Sequence, residues 1–152
     1  MEKIDARDRQ ILMLLQRNAK ISNVKLAEEI GLTPPATLER VKKLEESGLI
    51  EGYYARLDAD KLGYKVPVLI AVTLMKHQKQ SIQSFVEFLQ ATPEVTNYFH
   101  VTGAYDYLLQ VNMKDIKDLQ NFLINKLTGK KGISKAETFL IMEQYHAPLS
   151  VD

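Results

Sequence analysis

The sequence predicts an α+β fold in two parts: a winged helix-turn-helix over residues 1–57, a hinge at 58–65, and a β-α-β-β-α-β sheet domain over 66–152. Three observations carry the prediction. Residues 20–53, KISNVKLAEEIGLTPPATLERVKKLEESGLIEGY, hold two helix starts on either side of a glycine stop. Residues 66–75, VPVLIAVTLM, are an almost unbroken apolar run, too short to span a bilayer. The stretches that follow switch between helical and strand periodicity in the order of the split βαβ plan.

Asp5 caps a first helix running to about Asn18, with Ile11, Leu12 and Leu15 as its apolar stripe. Ser22 caps the second, because its hydroxyl takes a backbone N–H that has no intrahelical partner. Val24, Leu26, Ala27 and Ile30 give that helix a buried side, and Gly31 ends it in a left-handed conformation. Thr33, Pro34 and Pro35 open the third helix: a capping hydroxyl, then prolines whose missing N–H costs nothing. This helix stops near Glu46, before Ser47-Gly48, so the helix-turn-helix spans about 22–46. At 100° per residue Leu38, Val41 and Leu44 face inward, while Pro35, Ala36, Glu39 and Lys43 face outward with Arg40 and Lys42 on the flanks.

Small residues first and cations later suit a helix whose first turns enter a major groove and whose later turns follow a phosphate backbone. On that reading Pro35, Ala36, Glu39, Arg40 and Lys43 meet the groove, and Ser22, Asn23, Lys25 and Lys42 meet phosphates. The plainer alternative is an amphipathic hairpin with a solvated charged face. Leu49 to Leu57 reads as a short strand bent at Gly52, a wing carrying Arg56.

In the second half, Val66–Met75 predicts a strand covered on both faces, with Pro67 at its start or on an unpaired side. Ser81 caps a helix with Ile82, Phe85, Val86 and Leu89 on one face, closed by Pro93. Val95–Val101 is a strand, Thr102–Tyr105 a turn and Asp106–Met113 the returning strand. Asp115 caps a helix reaching Leu127, Thr128–Gly132 breaks it, and Ser134–Tyr145 is the last strand. Helices cover one face of such a sheet. The other carries apolar residues from every strand, too many to leave in water, and so predicts a two-fold dimer made sheet against sheet.

Composition bounds the chemistry. There is no cysteine, hence no disulfide, thiolate metal site or thiol nucleophile. No apolar run is long enough to cross a bilayer and the N-terminus, MEKIDARDRQ, is charged rather than signal-like, so a soluble cytoplasmic protein is expected. Net charge is only +1, but its distribution is uneven. All five arginines (Arg7, Arg9, Arg17, Arg40, Arg56) fall in residues 1–57, which points to that half as the one meeting DNA. Nine acids share the segment, so the basic surface is a single face.

These motifs resemble the Lrp/AsnC, or feast/famine, family of transcription regulators over essentially the whole chain. The first half carries the likeness in Ile21-Ser22-Asn23-Val24, Gly31-Leu32, Leu38-Glu39-Arg40-Val41, Gly48-Leu49-Ile50 and Gly52-Tyr53. The second carries it in Val101 to Leu109 (VTGAYDYLL) and in Phe139 to Glu143. The resemblance is nearest the leucine-responsive branch. It implies an N-terminal winged helix-turn-helix, a C-terminal effector-binding domain (the Lrp/AsnC ligand-binding or RAM domain), and dimers that assemble into an octamer around which DNA wraps. It also implies a free amino acid, leucine or another small one, bound beside the turn that here reads Gly103-Ala104-Tyr105-Asp106. Gly103, Tyr105 and Asp106 are therefore effector candidates, and Thr138 on the last strand a further one from across an interface. A glycine turn lets N–H groups face a carboxylate, and Asp106 suits an α-ammonium group. The plainer alternative is a hairpin turn in which Asp106 caps the loop and Tyr105 packs between subunits.

No enzyme chemistry, metal or cofactor is expected. His77, His100 and His146 are far apart in sequence and none has a partner at metal-ligand spacing; Gly129-Lys130-Lys131 lacks the preceding glycine of a phosphate loop and reads as a helix terminator; Asp115 and Asp118 fit a helix N-terminus. A sequence-specific DNA-binding regulator that responds to an amino acid is the leading reading. An amino-acid sensor acting on a partner enzyme is the alternative.

Overall fold

The computed structural model describes residues 4–75, 78–129 and 132–151; His77 and the Lys130-Lys131 pair of the expected helix terminator lie outside the described residues. Two compact units divide the chain, Met1–Arg56 with Tyr145–Asp152, and Leu57–Gln144. Among the described residues no helix is long and apolar enough to cross a membrane.

The first unit holds α1 (Ala6–Arg17), α2 (Asn23–Ile30) and α3 (Pro34–Glu46). Its core is Ile11, Leu12, Leu26, Ile30 and Leu44. The last residues of the chain belong here: the Gln16 amide donates to the Leu149 carbonyl at 3.0 Å and accepts from its N–H at 2.7 Å, and Val151 packs on the core. Three of the helix ends fall where expected. Asp5 accepts from the N–H groups of Arg7 and Asp8 within a reciprocal capping box, Ser22 accepts from Lys25 N, and Gly31 closes α2 at φ 68°.

Four local expectations are corrected. Thr33 occupies the N-cap of α3 without a side-chain bond; Pro35 at the second helical position removes one of the two N–H donors such a cap takes. Its carbonyl instead accepts from the hydroxyl of Thr37 at 3.0 Å. Thr37 is fully buried while Leu38 is 46% exposed, so the inward stripe of α3 is Thr37, Val41 and Leu44, about one residue round from the expected one. Val24 is exposed; Leu26, Ala27 and Ile30 alone bury α2. The wing strand expected over 49–57 does not form within the chain, since a ladder needs a partner and no other described segment supplies one. Tyr53 instead donates its hydroxyl to Glu45 Oε1 at 2.9 Å.

The second unit opens with hydrogen-bonded turns at 58–64 and continues as β1 (Val66–Leu74), α4 (Lys79–Gln90), β2 (Val95–His100), β3 (Tyr107–Met113), α5 (Ile116–Asn121), a π-helical turn (Phe122–Leu127) and β4 (Ile133–Leu140). The antiparallel sheet has the order β2-β3-β1-β4, the ferredoxin-like arrangement. α4 begins at Lys79 after Gln78, two residues before the expected Ser81 cap. β4 ends at Leu140 rather than 145: its ladder with β1 closes with Leu140 opposite Val68 and a last bond from Ile141 N to Pro67 O at 3.0 Å, one residue short of the start of β1.

Alternation sorts the sheet into two faces. Val68, Ile70, Val72, Leu109 and Val111 lie beneath the helices with Phe85, Leu89, Phe122 and Leu127. The register places Leu69 opposite Phe139, and Leu108 opposite both Ala71 and Phe99, on the other side. Every strand thus adds an apolar group to the open face. Phe99 is 51% exposed and Phe139 47%.

Candidate functional site

Two places gather the candidate residues. The first is the face of α3. Gly31 turns the chain between α2 and α3 in a left-handed conformation that costs a glycine little. Asn23 Nδ2 donates to the Pro34 carbonyl at 2.7 Å, tying the two helix starts together, and Ser22 keeps a hydroxyl proton free of the cap. Pro35, Glu39, Lys42 and Lys43 are exposed, Ala36 is half-buried, and Lys43 pairs with Glu39 at 3.1 Å along the helix. Ala36, Glu39 and Lys43 line an open cavity of about 530 Å³ with Ile4, Asp8 and Arg40.

Arg40 sits apart from its neighbours in chemistry. One guanidinium nitrogen donates to Asp5 Oδ2 at 2.7 Å and to Asp8 Oδ1 at 2.8 Å. Hydrogen bonding from Asp8 N–H first, and from Arg40 next, pulls the Asp5 carboxyl down to about 2. The two carboxylates, Asp8 before Asp5, raise the Arg40 guanidinium above its ordinary value.

The second place is the β2–β3 turn. Gly103 adopts φ 123°, a conformation costly for any residue with a Cβ. Asp106 fixes the turn to β1: its N–H donates to Val72 O at 2.9 Å, and its Oδ2 accepts from Leu74 N at 2.7 Å. Tyr105 donates its hydroxyl to Glu137 Oε2 at 2.6 Å, and Lys135 pairs with the same carboxylate. Lys135 first and Tyr105 second hold the Glu137 carboxyl below its usual range, while Glu137 raises both partners. Lys135 and Glu137 were not among the expected residues. Their signal is alternation along β4, which puts 135, 137 and 139 on the open face once the β1–β4 register is known. By the same register Thr138 pairs with the buried Ile70, on the opposite face from Tyr105 and Glu137.

His100 and Asp115 have structural partners. His100 stacks on Tyr107 with ring centres 4.7 Å apart, and Asp115 caps α5 by accepting from Asp118 N. Among the described residues no group of three or more metal-ligating side chains converges.

Comparison with known proteins assigns each half of the chain to a family model. Residues 4–51 match a winged helix-turn-helix DNA-binding family, and residues 67–149 match the Lrp/AsnC ligand binding domain. The chain is 36% identical to the transcriptional regulator AzlB of Bacillus subtilis, over 97% of this chain and 94% of that one. It is equally identical to a leucine-responsive regulatory protein of Haemophilus influenzae, over 93% and 85% of the two chains. Among solved structures it is similar to a Neisseria meningitidis transcriptional regulator in complex with L-Met, with TM-score 0.92, 29% identity and coverage of 99% and 97%. AsnC of E. coli follows with TM-score 0.85, 30% identity and coverage of 95% and 96%. These relatives are regulators of transcription and lend no support to the partner-enzyme alternative. The chain belongs to the Lrp/AsnC family, whose members join a helix-turn-helix for DNA to a domain for amino-acid effectors and are transcriptional regulators, not enzymes.

Proposed function

We infer that this chain works as a pair or larger assembly of copies on a pseudo-palindromic DNA site in the cytoplasm, and that a free amino acid shifts its affinity for DNA or its assembly state. The observation that carries this is the division of labour between two exposed surfaces. One is the α3 face of Ala36, Glu39 and Lys43; the other is the apolar sheet face of Leu69, Phe99, Leu108 and Phe139. The sheet face binds a second copy through a two-fold axis, and the axis presents two α3 helices to half-sites about one helical turn apart.

Pro35, Ala36, Glu39 and Lys43 meet base edges; Lys42, Lys25, Ser22 and Asn23 meet phosphates, which set register without reading sequence. In this division residues up to 57 serve DNA, 58–65 act as the hinge, and the rest serves effector and assembly. The effector lies beside Gly103, Tyr105 and Asp106, with Thr138 contributed from a neighbouring copy. Leucine or another small amino acid fits that reading, since one relative carries L-Met in its structure and another is named leucine-responsive. Dimers joining through the effector regions give the octamer.

The test combines assembly and binding. Fluorescence anisotropy on a duplex selected from a random library, repeated across salt concentrations and with leucine or methionine added, is read against sedimentation of the same samples. Salt-sensitive binding by a species of at least two copies, shifted about 5- to 150-fold by one amino acid, is expected. Binding by a monomer, or no response to any amino acid, overturns the reading.

A further inference from the structure

Arg40 stands on the flank of α3, between the buried stripe of Thr37 and Leu44 and the exposed row of Ala36, Glu39 and Lys43. Its two acids are the capping box of α1, and the box divides its oxygens cleanly. Asp5 gives Oδ1 to the N–H groups of Arg7 and Asp8, and Oδ2 to Arg40. Asp8 gives Oδ2 to Asp5 N–H, and Oδ1 to Arg40. The start of α1 and the middle of α3 are therefore joined through one guanidinium, 35 residues away in sequence from Asp5.

Charge decides what that guanidinium can do. Two carboxylates surround one cation, so the cluster as a whole presents negative charge, and a phosphate gains nothing from approaching it. Moving Arg40 out to a base edge gives up two charge-assisted hydrogen bonds and leaves two unpaired carboxylates facing the DNA backbone. Lys42 and Lys25 carry no such obligation to α1 in their positions on the exposed surface.

The geometry points to Arg40 as a positioning residue: it locks the roll of α3 against α1 so that Ala36, Glu39 and Lys43 face the groove, and it reads neither base nor phosphate itself. A reading surface must be held to within about half an ångström and 10–20° of its working geometry, and the apolar core beneath α3 is small. This inference rests on α3 being the helix that reads DNA.

The experiment uses the full chain in four forms: wild type, R40Q, D5N/D8N, and the triple variant. Asparagine still caps α1, so D5N/D8N removes the clamp while leaving Arg40 free to reach DNA. Anisotropy is measured on a duplex selected from a random library and on a scrambled duplex of the same composition, over a range of salt. R40Q and D5N/D8N are each expected to weaken the selected duplex about 5- to 100-fold, the scale of one well-made base contact. The triple variant should be no worse than either on the selected duplex, and for each variant the loss there should exceed any change on the scrambled duplex. A base-reading Arg40 predicts instead that R40Q abolishes discrimination while D5N/D8N preserves or improves it. A phosphate-binding Arg40 predicts equal losses on both duplexes and a salt slope smaller by about one. Either outcome overturns the inference. Should R40Q fail to fold by circular dichroism, R40K replaces it, with partial recovery of discrimination expected and full loss together with an intact D5N/D8N counting against the clamp. Wild type that does not distinguish the two duplexes removes the DNA reading of α3 itself and this inference with it; variant differences measured against a discriminating wild type judge Arg40 alone.

Discussion

The helical unit and the sheet unit differ in what each leaves unfinished. In the first, three helices close over five buried apolar residues, and three charged side chains of α3 pair within the unit, Glu39 with Lys43 and Arg40 with Asp5 and Asp8. In the second, helices cover one side of the sheet and an apolar residue from each strand remains on the other. The polar surface of the helical unit is stable in water and suits a charged partner. The sheet face is stable only when something apolar covers it. On the proposed function, one unit sets what is read and the other sets how many readers act together.

Charging the sheet face should have the largest effect. The double variant F99D/F139D replaces two half-exposed side chains, so the fold survives while the proposed self-association does not. Sedimentation should show a single copy. DNA affinity should fall by about 10²- to 10⁴-fold, the advantage that linking two reading units confers. An assembly of unchanged mass would mean that this face is not where copies meet.

Core truncations sharpen the same contrast. Ile30 is 1% exposed in the helical unit and Leu109 is 0% exposed in the sheet. I30A and L109A should each cost roughly 2–5 kcal/mol. If the units are energetically separate, I30A lowers the helical transition and leaves the sheet transition where it was. Calorimetry in which both variants shift one common transition by the same amount would show instead that the chain unfolds as a whole.

Where the sequence was readable, and where it was not, follows the same division. Helix ends are local events: Asp5, Ser22, Gly31, Pro34 and Asp115 each carry their own stop or start chemistry, and α1, α2, α3 and α5 begin or end there. The exceptions are instructive. Ser81 has the right chemistry for a cap, yet α4 starts at Lys79 without any side-chain cap. α5 passes into a π-helical turn whose end is held by Thr128 Oγ1 on the Leu123 carbonyl at 2.7 Å, an arrangement no periodicity announces. Strands depend on partners far away in sequence. Residues 49–57 have strand composition but no partner among the described residues, and after the bond from Ile141 N to Pro67 O nothing in 142–145 pairs with β1, so neither is a strand. The turn at Gly103–Asp106 was legible from its glycine and its family likeness. Glu137 and Lys135, which complete the polar cluster beside Tyr105, were hidden because only the β1–β4 register says which face of β4 they share.

The proposed effector turn offers a test of intermediate size. Asp106 already accepts from Leu74 N–H, and asparagine keeps that acceptor while losing the charge. D106N should therefore leave the turn folded and weaken binding of leucine or methionine by about 10- to 150-fold, the loss of a charge-assisted bond to an α-ammonium group. Calorimetric titration is the readout. An unaltered affinity would reduce Asp106 to a brace for the turn and move the search to Tyr105 and Glu137.

The smallest expected effect lies at the edge of the helical unit, where Tyr53 lies against α3. Burial first, and the hydrogen bond to Glu45 second, push its phenol up to about 12. A folded-state value above the ordinary one near 10 means that folding favours the protonated phenol. Its contribution is thus complete below about pH 10 and disappears as pH rises through 12. Because the ring is half-exposed, solvent screens the pair and the contribution is below about 1 kcal/mol at neutral pH. Y53F should lose that small amount at pH 7 to 9 and match wild type near pH 12, in urea titrations followed by circular dichroism. A variant as stable as wild type at neutral pH would show that the Tyr53–Glu45 bond adds nothing to the packing of the segment after α3.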